Sequence, residues 1–248
     1  MGMLEIIAVA VAGAAAGAIN TIVGSGSLVT FPVLVALGYP PVVANVTNTV
    51  GLVPGSVAGT YGYRRELAGQ KSRITRLGVA SLLGAIVGAM LLLMLPASLF
   101  DAVVPVIIAI AVLLVIFQSR LDRLVARRRD EGGDGGWFLT FLVFLTGVYG
   151  GYFSAAQGIL LLAVLGLGLS ETLQGVNALK NVLQTLVNLV AAVVFAIVAD
   201  VAWLAAGILA VGAVVGGQLG AHYGRKLPPV VLRGIIVVIG VVAIVMMV

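Results

Sequence analysis

The chain has 248 residues, of which 61% are hydrophobic and 9% are charged, and its mean hydropathy is +1.21. A soluble domain carries about 25% charged residues, so this composition excludes a water-facing globular protein and predicts several membrane crossings. The sequence contains no cysteine and one histidine, which excludes disulfides and argues against histidine-built metal or haem sites. We expect no metal, no other cofactor and no catalytic residue.

The net charge of +5 and the pI near 9.9 do not predict nucleic-acid binding. The lysines and arginines gather in the polar stretches between apolar runs, as expected for cytoplasmic loops of a membrane protein. We therefore predict the lipid bilayer as the surroundings of the chain and no nucleic-acid partner.

Apolar runs divide the chain into ten segments. Two of them have only 12 and 13 residues, or roughly 18–20 Å at the helical rise, which is too short for a hydrocarbon core of about 30 Å. The other eight are long enough to cross as helices. In chain order the segments are 3–22, 27–38, 42–62, 73–95, 98–117, 137–155, 157–169, 172–198, 203–223 and 228–248.

The two halves of the chain repeat each other at an offset of 132 residues. The register has no gap and pairs the two short segments with each other. It also pairs polar and glycine positions: Gly26 with Gly158, Asn45 with Asn177, Gly84 with Gly216, and Pro96 with Pro228. We therefore predict an internal duplication with five segments in each half.

The basic residues predict that the halves have opposite orientations. Five of them lie in the stretch 63–76, whereas the equivalent stretch near Asp200 has none, and the second half carries Arg225, Lys226 and Arg233 instead. This switch of the basic side is what inverted repeats require. Ten crossings with both termini outside place every Lys and Arg except Lys180 in the cytoplasm, whereas an eight-helix alternative leaves the last three basic residues outside.

The expected fold class is an all-α integral membrane protein built from two inverted five-segment repeats, with two of the ten segments short. We divide it into a first membrane repeat, 1–117, a basic cytoplasmic linker, 118–136, and a second membrane repeat, 137–248. The expected location is the cell (inner or plasma) membrane, with several passes. The sequence leaves the oligomeric state open, and a homo-oligomer is compatible with it.

Two interrupted stretches at symmetric positions predict a transport site. One runs from Asn20 to Ser27 and the other from Tyr152 to Gly158. Glycine permits a tight turn, and the short helix that follows directs unpaired N–H groups back at the break, where they attract anions. The alternative is that small residues only allow close helix packing. The candidate anion-binding residues here are Asn20, Gly24, Ser25, Gly26, Ser27, Gln157 and Gly158.

Polar residues also occur in the segments that follow each break. In the second half, positions 177, 181, 184 and 188 share one helix face. Such a stripe faces protein or a water-filled cavity, and it either lines a permeation path or forms bonds between helices. The residues 54–56, Pro-Gly-Ser, predict a further interruption of the third segment. Asn45, Asn48, Asn177 and Asn181 join the candidate site.

Lys180 is the one basic residue that the ten-crossing arrangement places inside the membrane. An ionisable side chain at such a position is a functional candidate, and we add it to the anion site. The alternative is that its long side chain reaches the cytoplasmic edge of the membrane.

Several strings in the first half resemble the TauE/SafE sulfite exporter family: INTIVGSGSLVTFP at 19–32, VANVTNT at 43–49, PGS at 54–56 and GYRREL at 62–67. The stretch from Gly147 to Asn181 is similar to that family's second signature. The family commonly has a run of glycines where this chain has Gly-Ser-Gly at 24–26 and Ala-Ala-Gln at 155–157. The resemblance implies a transporter that exports sulfite or another small organosulfur anion.

We therefore hypothesise export of a small inorganic or organosulfur anion, sulfite foremost, by alternating access and without an enzymatic reaction. A transporter of an organosulfonate such as sulfoacetate or taurine, or of a small carboxylate, is the first alternative. A remote alternative is an intramembrane serine protease with Ser25 as nucleophile and His222 as base. It is disfavoured because His222 is predicted at the cytoplasmic edge, away from the break.

Overall fold

The structure is a computed structural model that describes residues 1–128 and 135–223, together with the isolated positions 234, 237, 238 and 241. The described residues form helices and no strand, as expected for an all-α protein. A short 3-10 turn, Arg64–Leu67, follows the third α-helix. The α-helices are α1 (Met3–Ile22), α2 (Ser27–Ala36), α3 (Pro41–Gly62), α4 (Lys71–Met94), α5 (Ala97–Arg128), α6 (Gly136–Tyr152), α7 (Gln157–Gly168), α8 (Leu173–Val198) and α9 (Trp203–Tyr223).

Each of the first nine predicted segments corresponds to one of these helices, and the tenth, 228–248, lies outside the described residues. The two segments predicted to be short are short, with 10 residues in α2 and 12 in α7. Within the part of the chain that the structure describes, five helices are long and apolar enough to cross a membrane: α1, α4, α5 (over Ala97–Phe117), α8 and α9.

The prediction of eight long spanning helices is not confirmed for α3 and α6, which are not among these five helices. Helix α6 has 17 residues and ends at Tyr152, because Phe153 takes an extended conformation (φ −156°, ψ 107°). Helix α3 has 22 residues, but its polar run from Asn45 to Thr49 lowers its hydropathy. The predicted interruption at 54–56 is wrong, since α3 continues through Pro54, and Ser56 donates its hydroxyl back to Leu52 O at 3.0 Å.

The first part of the predicted linker is helical. Helix α5 continues to Arg128, so residues 118–128, assigned to the linker 118–136, are helical. The sequence there is rich in Arg and Leu, which are strong helix formers and extend a helix beyond its apolar part. Helix α6 begins after Gly135, which takes a left-handed conformation (φ 71°).

The helices pack in pairs that correspond under the 132-residue offset. Helix α1 packs along α9 and α6 packs along α4, while α3 packs along α9 and α8 packs along α4. Glycines allow the backbones to approach closely, as is common between membrane helices. A Cβ atom on Gly84 of α4 would collide with the α6 backbone, and one on the equivalent Gly216 of α9 would collide with the α1 backbone.

The outward faces of α4, α5 and α9 are apolar. Exposed aliphatic side chains such as Leu83 and Met90 on α4, Ile110 and Leu113 on α5, and Val211 on α9 cover them. Water-soluble monomers rarely expose continuous apolar surface on this scale. Most of the buried polar side chains instead lie on α1, α2, α3 and α8, which is the arrangement of a protein surrounded by lipid.

Candidate functional site

The two predicted helix breaks lie against each other. The N–H of Gly158, at the start of α7, donates a hydrogen bond of 2.9 Å to the carbonyl oxygen of Gly24, between α1 and α2. A Cβ atom on either glycine would collide with the Cα atom of the other. The contact therefore requires glycine at both positions, and it brings together two breaks that are far apart in the sequence.

The breaks share an unusual backbone conformation. Gly24 and Ala156 occupy equivalent positions, and both are left-handed, with φ of 84° and 57°. Ala156 is the one non-glycine residue with a positive φ among the described residues. This conformation is unfavourable for alanine and persists only where the surrounding structure enforces it. Both breaks therefore have the same backbone geometry, although the second break has alanine at the position where glycine normally permits a left-handed conformation.

Hydroxyl and amide side chains connect the two breaks. The hydroxyl groups of Ser27 and Ser154 lie 2.7 Å apart in a hydrogen bond between the halves of the chain. Asn48 donates from Nδ2 to Ser27 Oγ at 3.0 Å, and Thr30 donates to Asn48 Oδ1. Helices α2 and α3 are thereby joined through hydrogen bonds to Ser154, which lies between α6 and α7.

The Asn20 side chain forms hydrogen bonds across the first break. Its Oδ1 accepts hydrogen bonds from Gly26 N at 3.3 Å and from Gln184 Nε2 at 2.9 Å, and its Nδ2 donates to Ser56 Oγ at 3.2 Å. Gln184 Nε2 also lies 3.4 Å from the carbonyl of Gly24. The Asn20 side chain therefore contacts Gly26 at the other end of the break, Ser56 on α3 and Gln184 on α8.

Lys180 is fully buried, and its ammonium group binds the end of α1. The Nζ atom donates to the carbonyl oxygens of Asn20 and Thr21 at 3.2 and 3.3 Å, and Asn181 Nδ2 donates to the same Thr21 oxygen at 3.3 Å. The last carbonyls of a helix lack intrahelical donors and carry partial negative charge. The side chain is directed at the break, so it does not reach for the membrane edge.

A corresponding contact occurs at the second break. Asn45 Nδ2 on α3 donates to the carbonyl oxygen of Tyr152, the last residue of α6, at 3.0 Å. The ends of α1 and α6 are therefore each bound by a side chain from the second helix after the break in the other half, Lys180 of α8 and Asn45 of α3. Asn177, the repeat partner of Asn45, is buried on α8, and its Oδ1 has no hydrogen-bond partner in the described part of the chain.

Two side chains at the breaks have unused hydrogen-bonding capacity. Ser25 and Gln157 are fully buried and equivalent under the 132-residue offset, and neither the Ser25 hydroxyl nor either amide atom of Gln157 has a partner among the described residues. Gln184 Oε1 also lacks one. Buried polar atoms are nearly always paired, and each unpaired atom costs about 1–3 kcal/mol. Ser25 just before α2 and Gln157 at the start of α7 give both breaks donors that the protein itself does not satisfy.

The structure thus brings together the predicted site residues from the two breaks and from the following helices, except Asn177, which has no bond to either break. Sequence reasoning missed Thr21, Ser154 and Ser56, whose backbone or hydroxyl groups complete the network. Thr21 and Ser154 lie within the two interrupted stretches, and this position is the signal from which the sequence could have identified them as site residues.

The site is built from neutral groups and one ammonium group. Among the described residues, no group of His, Asp and Glu side chains could hold a metal ion. Glu171 pairs with Arg73 at 3.0 Å, outside the breaks. His222 is exposed near the end of α9 and lines a surface cavity with Arg64, whereas Ser25 is buried in the break. These positions do not form a Ser–His pair.

An all-helical chain with an apolar outer surface and two short helices that meet at a buried polar break has the architecture of a membrane transporter. A family model described as "Sulfite exporter TauE/SafE" matches residues 9–247, and the chain belongs to this family. It is therefore a multi-pass membrane transporter and not an enzyme.

Relatives with similar sequences carry transporter names. The chain is 25% identical over 233 residues to a "Probable membrane transporter protein" of Haemophilus influenzae, covering 91% of this chain and 88% of the relative. It is 25% identical over 236 residues to "Probable membrane transporter protein YfcA" of Escherichia coli K12, covering 92% and 83%. It is 26% identical over 231 residues to "Probable membrane transporter protein ORF9" of a Sinorhizobium species, covering 91% and 85%. No solved structure matches the chain.

Proposed function

We propose that this transporter exports sulfite and binds it between the two helix breaks. The observation that carries the proposal is the pair Ser25 and Gln157, which occupy equivalent positions and have buried side-chain donors without protein partners. Ser25 lies just before α2 and Gln157 is the first residue of α7, so both lie at the N-terminus of a short helix. A small oxyanion offers several acceptor oxygens and can satisfy donors from both sides at once.

The electrostatics of the breaks favour an anion. The N-termini of α2 and α7 contribute partial positive charge, which is known to attract sulfate, phosphate and carboxylate groups. The Lys180 Nζ atom donates to the carbonyl oxygens of Asn20 and Thr21 at the end of α1, next to the first break. In this proposal Lys180 positions the end of α1 and attracts the anion. The remaining predicted site residues shape the space around it or hold the breaks together.

We also propose the inverted-repeat topology: two repeats, 1–117 and 137–248, joined by the basic cytoplasmic linker 118–136, with ten membrane segments and both termini outside. The paired packing of α1 with α9 and α6 with α4 supports it, because the 132-residue offset exchanges these pairs. The matching left-handed conformations of Gly24 and Ala156 support it at the level of single residues.

Transport would proceed by movement of the two repeats relative to each other. The Ser27–Ser154 hydrogen bond and the Gly158–Gly24 hydrogen bond join the two breaks, so these bonds would form and break as access alternates. No coupling ion is required for export. With a negative interior, each negative charge that leaves gains about 2.3 kcal/mol per 100 mV.

The experiment is sulfite efflux from proteoliposomes, with the Ser25→Ala and Gln157→Ala variants. The matched control is Ser81→Ala, because Ser81 on α4 is also fully buried and its hydroxyl also lacks a partner, but it lies outside the breaks. We expect reduced sulfite flux in both break variants and normal flux in the control. Equal flux in all four proteins would reject the site. Transport of sulfoacetate, taurine or acetate in place of sulfite would reject the proposed substrate and keep the site.

A further inference from the structure

A cavity of about 580 Å³ opens at the surface between the end of α3, the following 3-10 turn and the last part of α9. Three of its lining residues, Ala58, Gly62 and Ala221, are small and leave the space open. The others carry donor groups: Tyr61, Arg64, Arg65, Gln218 and His222. No acidic side chain is among the lining residues in the part of the chain that the structure describes. A single water molecule takes up about 30 Å³ in the liquid, so the cavity has room for a hydrated polyatomic anion.

The Arg64 side chain is held in place at the cavity wall. Its guanidinium group lies 4.1 Å from the centre of the Tyr61 ring, and Nη1 donates to the Tyr61 carbonyl oxygen at 3.0 Å. A guanidinium group has five N–H donors in a rigid planar fork, so most of its donors stay free for a ligand. Arg65 follows directly on the same 3-10 turn and is also exposed.

We propose that this cavity is a second oxyanion-binding site, separate from the helix breaks. Two guanidinium groups, an amide and an imidazole on an uncharged floor suit a sulfite, sulfate or phosphate group, because arginine binds such oxygens through two parallel hydrogen bonds. The ligand is either a free anion in solution or the phosphate of a lipid headgroup, since both present the same oxygens.

The cavity lies close to the break along α3. Gly62 of its floor faces Ala221, and Gly59, one turn earlier, faces the Thr21 side chain at the end of α1. Three residues of helix cover about 5 Å. The cavity is therefore placed to deliver an anion toward the break. This role as an entry site rests on the proposed function, whereas anion binding in the cavity does not.

The test uses the purified full-length protein with Arg64→Gln and Arg65→Gln combined. The control combines Lys71→Gln and Arg120→Gln, which removes the same charge from two exposed basic residues outside the cavity. A second cavity variant, Ala58→Leu, fills the space without changing charge. One arm measures sulfite and inorganic phosphate binding by calorimetry. The other arm measures retention of phosphatidylglycerol relative to phosphatidylcholine by native mass spectrometry.

We expect both cavity variants to weaken binding at least tenfold in one arm, with the control unchanged. Loss in the calorimetric arm identifies a free anion, and loss in the lipid arm identifies a headgroup. Equal binding in all proteins, or an equal loss in the control, overturns the proposal. Ser25→Ala separates the two sites: normal flux in that variant rejects the break site and leaves the cavity result standing.

Discussion

The N–H of Gly158 donates a 2.9 Å hydrogen bond to the carbonyl oxygen of Gly24, so the two interrupted helices of the chain are joined through their backbones. The residues on either side of this bond, Ser25 and Gln157, have buried polar groups without protein partners. The backbone contact fixes the distance between two sets of donors that come from opposite halves of the chain.

The first prediction concerns the space at this contact. Gly158→Ala places a methyl group against the Cα atom of Gly24, so the breaks must separate. We expect a loss of about 1–3 kcal/mol in the free energy of unfolding, as for other overpacked positions, and loss of sulfite flux. Thermal unfolding in detergent measures the first effect and proteoliposome flux the second.

Gly207→Ala is the control for that variant. Gly207 lies on the exposed side of α9 with no atom within 4 Å of an added Cβ, and alanine favours a helix by roughly 0.5–1 kcal/mol over glycine. It is expected to unfold at the same or a higher temperature. A Gly158→Ala variant as stable and active as Gly207→Ala would show that the breaks do not need their close approach.

The second prediction concerns Lys180. Lys180→Met keeps the length of the side chain and removes both hydrogen bonds to the end of α1. If the ammonium attracts the anion, the KM for sulfite rises about tenfold or more, whereas Asn181→Leu, which removes only a bond to Thr21 O, changes it far less. Flux against sulfite concentration gives both values. The same KM in the two variants would assign Lys180 a purely structural role.

The third prediction concerns the hydrogen bond between Ser27 and Ser154. Each Ser→Ala change removes the same bond, so the double variant should lose less stability than the sum of the single variants. Hydrogen bonds between membrane helices average about 0.6 kcal/mol by such cycles, and a coupling energy of this size is expected. Equilibrium unfolding of the four proteins measures it, and strict additivity would contradict a direct bond.

The helix breaks could be found in the sequence because glycine and polar residues interrupt long apolar runs at positions related by a constant offset. The end of α6 could not be placed as well. Gly151, Tyr152 and Phe153 are all compatible with an apolar segment, and the turn to extended backbone at Phe153 depends on packing between the halves.

The hydrogen-bond partners of the site residues could not be predicted from the sequence, for a physical reason. The pattern identified Lys180 as a buried charge, but its acceptors are the backbone carbonyls of Asn20 and Thr21, and every residue has a carbonyl. Ser154 pairs with a hydroxyl 127 positions away. A short hydroxyl side chain leaves no periodic pattern, so only the three-dimensional packing reveals the pair.

The last prediction concerns the driving force for export. Among the described residues, the polar network at the breaks contains no carboxylate that could carry a proton or hold a sodium ion. We therefore expect the rate of sulfite efflux from proteoliposomes to rise with an inside-negative potential. At a clamped potential, we expect the rate to be independent of proton and sodium gradients. Each negative charge gains about 2.3 kcal/mol per 100 mV on leaving. Potassium and valinomycin set the potential, and protein-free liposomes measure the leak. Flux that requires a proton or sodium gradient at zero potential would contradict uncoupled export, and it would place a coupling site elsewhere in the chain.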